Sequence, residues 1–339
     1  MTVRRNFKRL VRARAAKTGE SYTSALRHFR PTPSGDVMSE ARNPHHSVRL
    51  AVAQTPVRED PRDADALRES GRQVRGLMRE ASARGARIVH FPEGAICFPN
   101  KLVMSVDGPD AVGPADWDRC QWTVLQAELA AIVELARELR LWAVIASVHR
   151  LTEPNRPHNS LYVISDRGEV VTRYDERMLS NTKVSYMYAP GSSPVTFDVD
   201  GVRFGCLLGM EIHYPELFAE YEKLDVGCVL FSTTGISPGN ASVQAQGHAA
   251  TNSYWVSFSV PTQHSSTAPS GIIAPNGDWL KQCPADGSPS VAVVDLDDGS
   301  EAAAESVTYA RPWRRKSRMA AYAGTQVTDP RSEDRTAAF

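Results

Sequence analysis

The stretch from Gly205 to Phe218, GCLLGMEIHYPELF, is where chemistry is expected first. Val202 to Leu208 reads as a buried strand, Gly209 as a sharp turn, and Pro215-Glu216-Leu217 as a helix start. A strand-to-turn elbow lifts one side chain above a sheet, and many hydrolases hold their nucleophile there. The position lifted here is Gly209, which has no side chain. Cys206 lies three residues upstream, and that odd offset turns it to the opposite face of the strand. Cys97 reads as a small loop or core thiol rather than a substitute.

The elements that must position this elbow alternate along the chain. Val48–Gln54 reads as a strand, and 61–84 as an amphipathic helix with Leu67, Val74, Met78 and Ala81 on one face. Arg87–Phe91 is a short strand running into Pro92-Glu93-Gly94. Asp116 is expected to cap a long helix whose Leu125, Leu129, Ile132, Ala136 and Leu139 repeat at four and three. Leu141–Val148 is an apolar strand, and 160–165 with 169–174 form a hairpin around Asp166-Arg167-Gly168. Past the elbow come a helix at 215–223, a strand at 227–232, a helix at 241–253 and strands at 254–260, 271–273 and 291–296. Alternating helices with strands apolar on both faces predict an α/β fold with sheets covered by helices.

Charge is uneven. Residues 1–50 hold 11 Lys/Arg against 3 Asp/Glu, although the whole chain is formally neutral. Residues 1–47 are expected to be a basic helical extension and linker, and a solvated arm is favoured over nucleic-acid binding. Met38 is an alternative start. The tail from Thr308 is polar and basic, expected to wrap a neighbour or end loosely. No apolar run reaches membrane-spanning length. Five scattered, unpaired-looking cysteines point to reduced thiols and a cytoplasmic protein. No cofactor and no metal are expected, since no tight His/Asp/Glu spacing occurs; Glu211 and His213 are the nearest approach to a ligand pair.

Taken in order, several motifs resemble the nitrilase superfamily, the carbon–nitrogen hydrolases. They are Ala51-Val52-Ala53-Gln54, Phe91-Pro92-Glu93, Asn159-Ser160-Leu161 through Tyr174, Pro215-Glu216-Leu217, Ile272 through Gly277 and Ala310-Arg311-Pro312-Trp313. The resemblance implies an α-β-β-α sandwich over 48–322, a short tail at 323–339 and a homodimer. It also implies a cysteine nucleophile, a glutamate base and a lysine that steadies negative charge. Matched position by position, Glu93 is the glutamate, Glu176 stands at the lysine and Gly209 at the cysteine. A further family glutamate falls in a stretch that here reads Lys183-Val184-Ser185, and the aspartate after the cysteine is Glu211.

Glu93 and Glu176 would then share a buried site, and one of two close carboxyls should have a raised pKa. Arg177 or Lys183 could turn a cation toward Glu93, and Glu211, Tyr186 and Lys183 are the candidate substrate-binding residues. Tyr188, Phe98 and Trp255 are weighed for the mouth, Trp255 more naturally as core. Three functions fit: acid/base chemistry without a thiol on a cationic or amine-bearing small molecule, a catalytically silent binding or regulatory subunit, and ordinary carbon–nitrogen hydrolysis by a substitute nucleophile. The first is expected slightly ahead of the second.

Overall fold

The computed structural model describes residues 47–234, 237–297, 299–318, 324–325 and 328–333. All belong to one unit, residues 45–339. The basic extension expected at 1–47 lies outside the described residues, apart from Ser47 at the start of the first strand.

Strand β1 (Ser47–Gln54) is the first described element. Helix α1 (Ala64–Ala83) begins where Asp63 accepts hydrogen bonds from the amides of Asp65 and Ala66, and buries Leu67, Val74, Leu77, Met78 and Ala81. After β2 (Ile88–His90) the sequence expectation needs a correction. Asp116 caps only the short turn Trp117–Arg119, and the extended backbone of Cys120 interrupts it. The long helix α2 (Trp122–Leu139) starts afresh after Gln121. Strands β3 (Trp142–His149), β4 (His158–Ile164) and β5 (Val170–Asp175) follow.

The second half contains β6 (Thr196–Val199), β7 (Val202–Leu208), α3 (Pro215–Lys223), β8 (Cys228–Ser232), α4 (Pro238–Asn252) and β9 (Trp255–Ser259). Then come β10 (Gly271–Ile273), β11 (Trp279–Gln282) and β12 (Ser290–Asp297). One sheet runs β12-β1-β2-β3-β4-β5 and the other β11-β10-β9-β8-β7-β6. In each, three central strands are parallel, β1-β2-β3 and β7-β8-β9, and the flanking strands are antiparallel.

Side chains alternate between two cores, as the pleat requires. Val48, Leu50 and Val52 of β1 join the core that also holds Phe204, Leu208 and Phe231. Ala51 and Ala53 of the same strand lie in the core with Leu67, Val74, Met78, Ile132 and Ala136 of α1 and α2. The small alanines let those helices sit close to the sheet. Deep between the sheets, His90 hydrogen-bonds Ser257 Oγ through Nδ1 at 2.9 Å and Ser232 Oγ through Nε2 at 2.7 Å. Burial pushes its imidazole down to about 3, so it is neutral and holds the sheets together. The result is an α/β fold of the nitrilase-like α-β-β-α kind.

The basic tail is not loose over 311–318. It forms a helix on its own chain, where Arg311 donates to the Val226 carbonyl, Arg315 pairs with Asp225 and Arg318 with Glu222.

Candidate active site

Four segments bring polar side chains to one point. Glu93 sits in the loop after β2, Asn159 on β4, Glu176 directly after β5 and Lys183 at the head of a one-turn π-helix, Lys183–Met187. The β4–β5 register explains part of this. Ser160 pairs with Asp175, so Asn159 and Glu176 come next to each other on the inner face, and Glu176 N donates to the Asn159 carbonyl at 2.9 Å.

Lys183 Nζ donates to Glu93 Oε1 and to Glu176 Oε2, each at 2.7 Å. Asn159 Nδ2 donates to the same two oxygens, at 2.8 Å and 2.7 Å. Glu93 Oε2 accepts the Thr234 amide at 2.7 Å. The two carboxyls are therefore bridged by an ammonium and an amide. Both glutamates are fully buried and Lys183 is nearly so. Burial pushes the Glu176 carboxyl up to about 7; Lys183 opposes that rise and the Glu93 charge adds to it. Burial also works against the Lys183 charge, but Glu176 and Glu93 outweigh it and hold the ammonium above its usual range.

The fourth oxygen is the unusual one. Glu176 Oε1 is buried and has no hydrogen-bond partner among the described residues. It points at Gly209, immediately after β7, whose φ of +55° lies in the left-handed region that favours glycine. A Cβ at residue 209 would lie 2.6 Å from Glu176 Oε1 and 3.2 Å from Lys183 Nζ. Glycine thus does not enlarge the pocket; the Glu176 carboxyl fills the space above the turn.

Glu211 does something other than bind substrate, which corrects the sequence expectation. Tyr174 Oη donates to both its oxygens at 2.7 Å, and the amides of Arg177, Met178 and Leu208 donate at 2.7, 3.2 and 2.8 Å. Every lone pair faces protein, so Glu211 ties the elbow to the segment carrying Glu176. Lys183, expected to bind substrate, lies between the two carboxyls and donates to both. Tyr186 is not brought to the group: it is half-buried, and its carbonyl accepts from Ala115 N. Arg177 turns away to Glu220 at 2.8 Å. His213 is exposed and meets Gln244, and Trp255 is core. Phe98 does reach the site, with its ring 5.7 Å from Lys183 Nζ.

Residues missed from the sequence are Asn159 as a bridging amide, the Thr234 amide and Lys101. Lys101 donates to Thr182 Oγ1 beside Lys183, and burial and the Lys183 charge lower its pKa. The register that sets Asn159 beside Glu176 depends on a one-residue shift between Val163 and Ile164, which the turn at 166–168 does not by itself specify. All five cysteines are free and buried. Burial raises the Cys206 and Cys97 thiols, so neither is poised as a thiolate. Among the described residues no group of three His, Cys, Asp or Glu could hold a metal, and no helix is long and apolar enough to cross a membrane.

Two helix-covered sheets with a charged cluster at their strand ends define a nitrilase-type sandwich. The chain belongs to the carbon-nitrogen hydrolase family, whose model matches residues 49–305. Its fold resembles a mutant of an amidase from Nesterenkonia AN1, of the nitrilase superfamily, at TM-score 0.60 and 17% identity over 78% of this chain and 97% of that one. The same amidase in complex with butyramide gives 0.59 and 17% over 79% and 96%. A glutamine-dependent NAD+ synthetase from Acinetobacter baumannii gives 0.58 and 18% over 74% of this chain and 46% of that one. No curated protein matches the chain.

Proposed function

We propose that this carbon-nitrogen hydrolase family member performs acid/base chemistry on a small molecule without a thiol nucleophile. The observation that carries this reading is the buried, unpartnered Glu176 Oε1 beside Gly209. A solved amidase of the same fold carries an acetamide moiety covalently on its active-site cysteine. Here the matching turn has glycine, and a carboxyl that holds its proton near neutrality stands over it.

The charges have traded places. Relative to the family pattern, the position expected to be lysine is Glu176, and the stretch expected to supply a glutamate supplies Lys183. Two carboxyls and one ammonium still meet, with the signs exchanged. Protonated Glu176 can donate from Oε1, Glu93 can take a proton, and Lys183 can stabilise negative charge that develops between them. Because Lys183 already occupies the place between the carboxyls, a neutral amide-, imine- or nitrile-like group fits better than the cationic ligand first expected. The reaction class is proton-coupled addition, elimination or isomerisation at a carbon–nitrogen bond.

The test is product detection by NMR with a panel of small amides, ureas, imines and nitriles. Turnover should fall about 10²- to 10⁴-fold in Glu93→Gln and in Glu176→Gln. It should survive iodoacetamide, because every cysteine is buried. Turnover that persists in both glutamine variants, or that alkylation abolishes, would overturn the reading. Binding without turnover across the panel would favour a silent subunit, which the mutual neutralisation of Glu93, Lys183 and Glu176 also suits.

A further inference from the structure

A cavity of about 390 Å³ lies on the other side of the first sheet, against α2. Its apolar wall is Trp122, Leu125 and Leu129 of α2, and its floor includes His149 of β3 and Tyr162 of β4. Arg150 stands at its rim, with its guanidinium 5.3 Å from the centre of the Trp122 ring. This volume is in the range of ordinary small-molecule sites.

The floor is wired in a way that leaves the Tyr162 hydroxyl hydrogen for a guest, beside the polar side chains of Thr123, Gln126 and Ser147 that also line the cavity. Arg173 Nη1 lies 2.7 Å from His149 Nε2, and arginine can only donate. Nε2 is therefore the bare nitrogen, and the neutral ring carries its proton on Nδ1. Nδ1 lies 2.7 Å from Tyr162 Oη, so the tyrosine oxygen is the acceptor there. The hydroxyl hydrogen of Tyr162 is then unused by any hydrogen bond among the described residues. Arg173 is itself fixed, because its Nε and Nη2 pair with Asp175 at 2.7 and 3.0 Å. That carboxylate also accepts from Ser160 Oγ at 2.6 Å. The tautomer is thus set by half-buried protein partners and not by the occupant.

No Asp or Glu lines the cavity; Arg150, its one formally charged lining residue, meets Glu153 Oε1 at 3.3 Å through Nη2 in an exposed pair, which leaves its other N–H groups for a guest. A flat apolar wall, a phenolic donor at the floor and a guanidinium at the rim match one chemistry. We infer that this cavity is a binding site for a small aromatic carboxylate, its ring against Trp122, Leu125 and Leu129 and its carboxylate shared by Tyr162 Oη and Arg150. Guanidinium suits a carboxylate because its parallel N–H groups can engage both oxygens. The site is separate from the Glu93–Lys183–Glu176 cluster. Tyr162 and Arg173 face outward on β4 and β5, whereas Asn159 and Glu176 face inward.

Isothermal titration calorimetry of the full chain with indole-3-acetate and phenylacetate tests this, with benzylamine and benzyl alcohol as the cationic and neutral counterparts. The expected result is saturable binding of at least one acid and of neither counterpart. Tyr162→Phe, which removes only the donor, and Arg150→Gln, at a largely exposed position, should each weaken it about tenfold, the size of one charge-assisted hydrogen bond. The absence of saturable binding by either acid, or binding unchanged in both variants, would overturn the assignment.

Discussion

Lys183→Met is expected to lower the free energy of unfolding by about 3–5 kcal/mol near neutral pH, the cost of leaving buried charge unpaired. The size follows from geometry. Among the described residues Lys183 Nζ is the only ammonium on Glu93 Oε1 and Glu176 Oε2, and both carboxyls are fully buried. Asn159 would remain as a donor to both, and the Thr234 amide to Glu93, but neither carries charge. Glu176 would then take up a proton more readily still, so the loss should shrink as pH falls. Adding Glu176→Gln to Lys183→Met should change stability little near neutral pH, where Glu176 already holds its proton, and should restore part of it only as pH rises and that carboxyl would otherwise ionise. Urea unfolding of the three variants reads this directly. A loss below about 1 kcal/mol in the single variant would be typical of an exposed ion pair, and would mean that the cluster is solvated.

The second large effect is in the pH dependence of stability. Glu176 has an ordinary value of 4.5 and is raised to about 7 in the folded chain. The folded state then holds this proton more tightly than the unfolded chain does. Its contribution is complete below pH 4.5 and is lost as pH rises through about 7, for a total of about 3 kcal/mol. Glu176→Gln has no proton to lose. The difference in unfolding free energy between wild type and Glu176→Gln should therefore change by about 3 kcal/mol across that window, moving against the wild type as pH rises. Groups common to both proteins, such as Glu211, cancel in the difference. A difference that stays flat, or that moves the other way, would mean that Glu176 is ionised in the folded chain throughout.

Local signals made much of this architecture legible. The 3.6-residue pattern at Leu67, Val74, Met78 and Ala81 gave α1 a buried face, and the Asp166-Arg167-Gly168 turn fixed the β4–β5 hairpin. Strand β6 escaped notice because it is a four-residue edge strand that pairs with β7 across Asp200 and Gly201. Strand β11 is as short and largely exposed, so no apolar run announced it. In the site, Glu93, Glu176 and Gly209 could be placed from ordered motifs. The partners could not, because the bonds that join them span 66, 90 and 141 residues of sequence. The role of Lys183 depends on a single π-helical turn, in a segment with no periodic apolar pattern to show which way the side chain faces. Glu211 looked like a site residue from its place beside the elbow. Only the fold shows that five donor contacts turn both of its oxygens toward protein.

In the proposed chemistry a carboxyl that holds a proton near neutrality stands over the glycine turn in place of a thiol. Difference infrared titration of wild type against Glu176→Gln tests it most directly, since it observes the carboxyl itself. A protonated carboxyl band should be present in the wild type, absent from the variant and lost with a midpoint near pH 7. A Glu176 carboxylate already ionised at its ordinary value of 4.5 would contradict it, and with it the acid role assigned to Oε1.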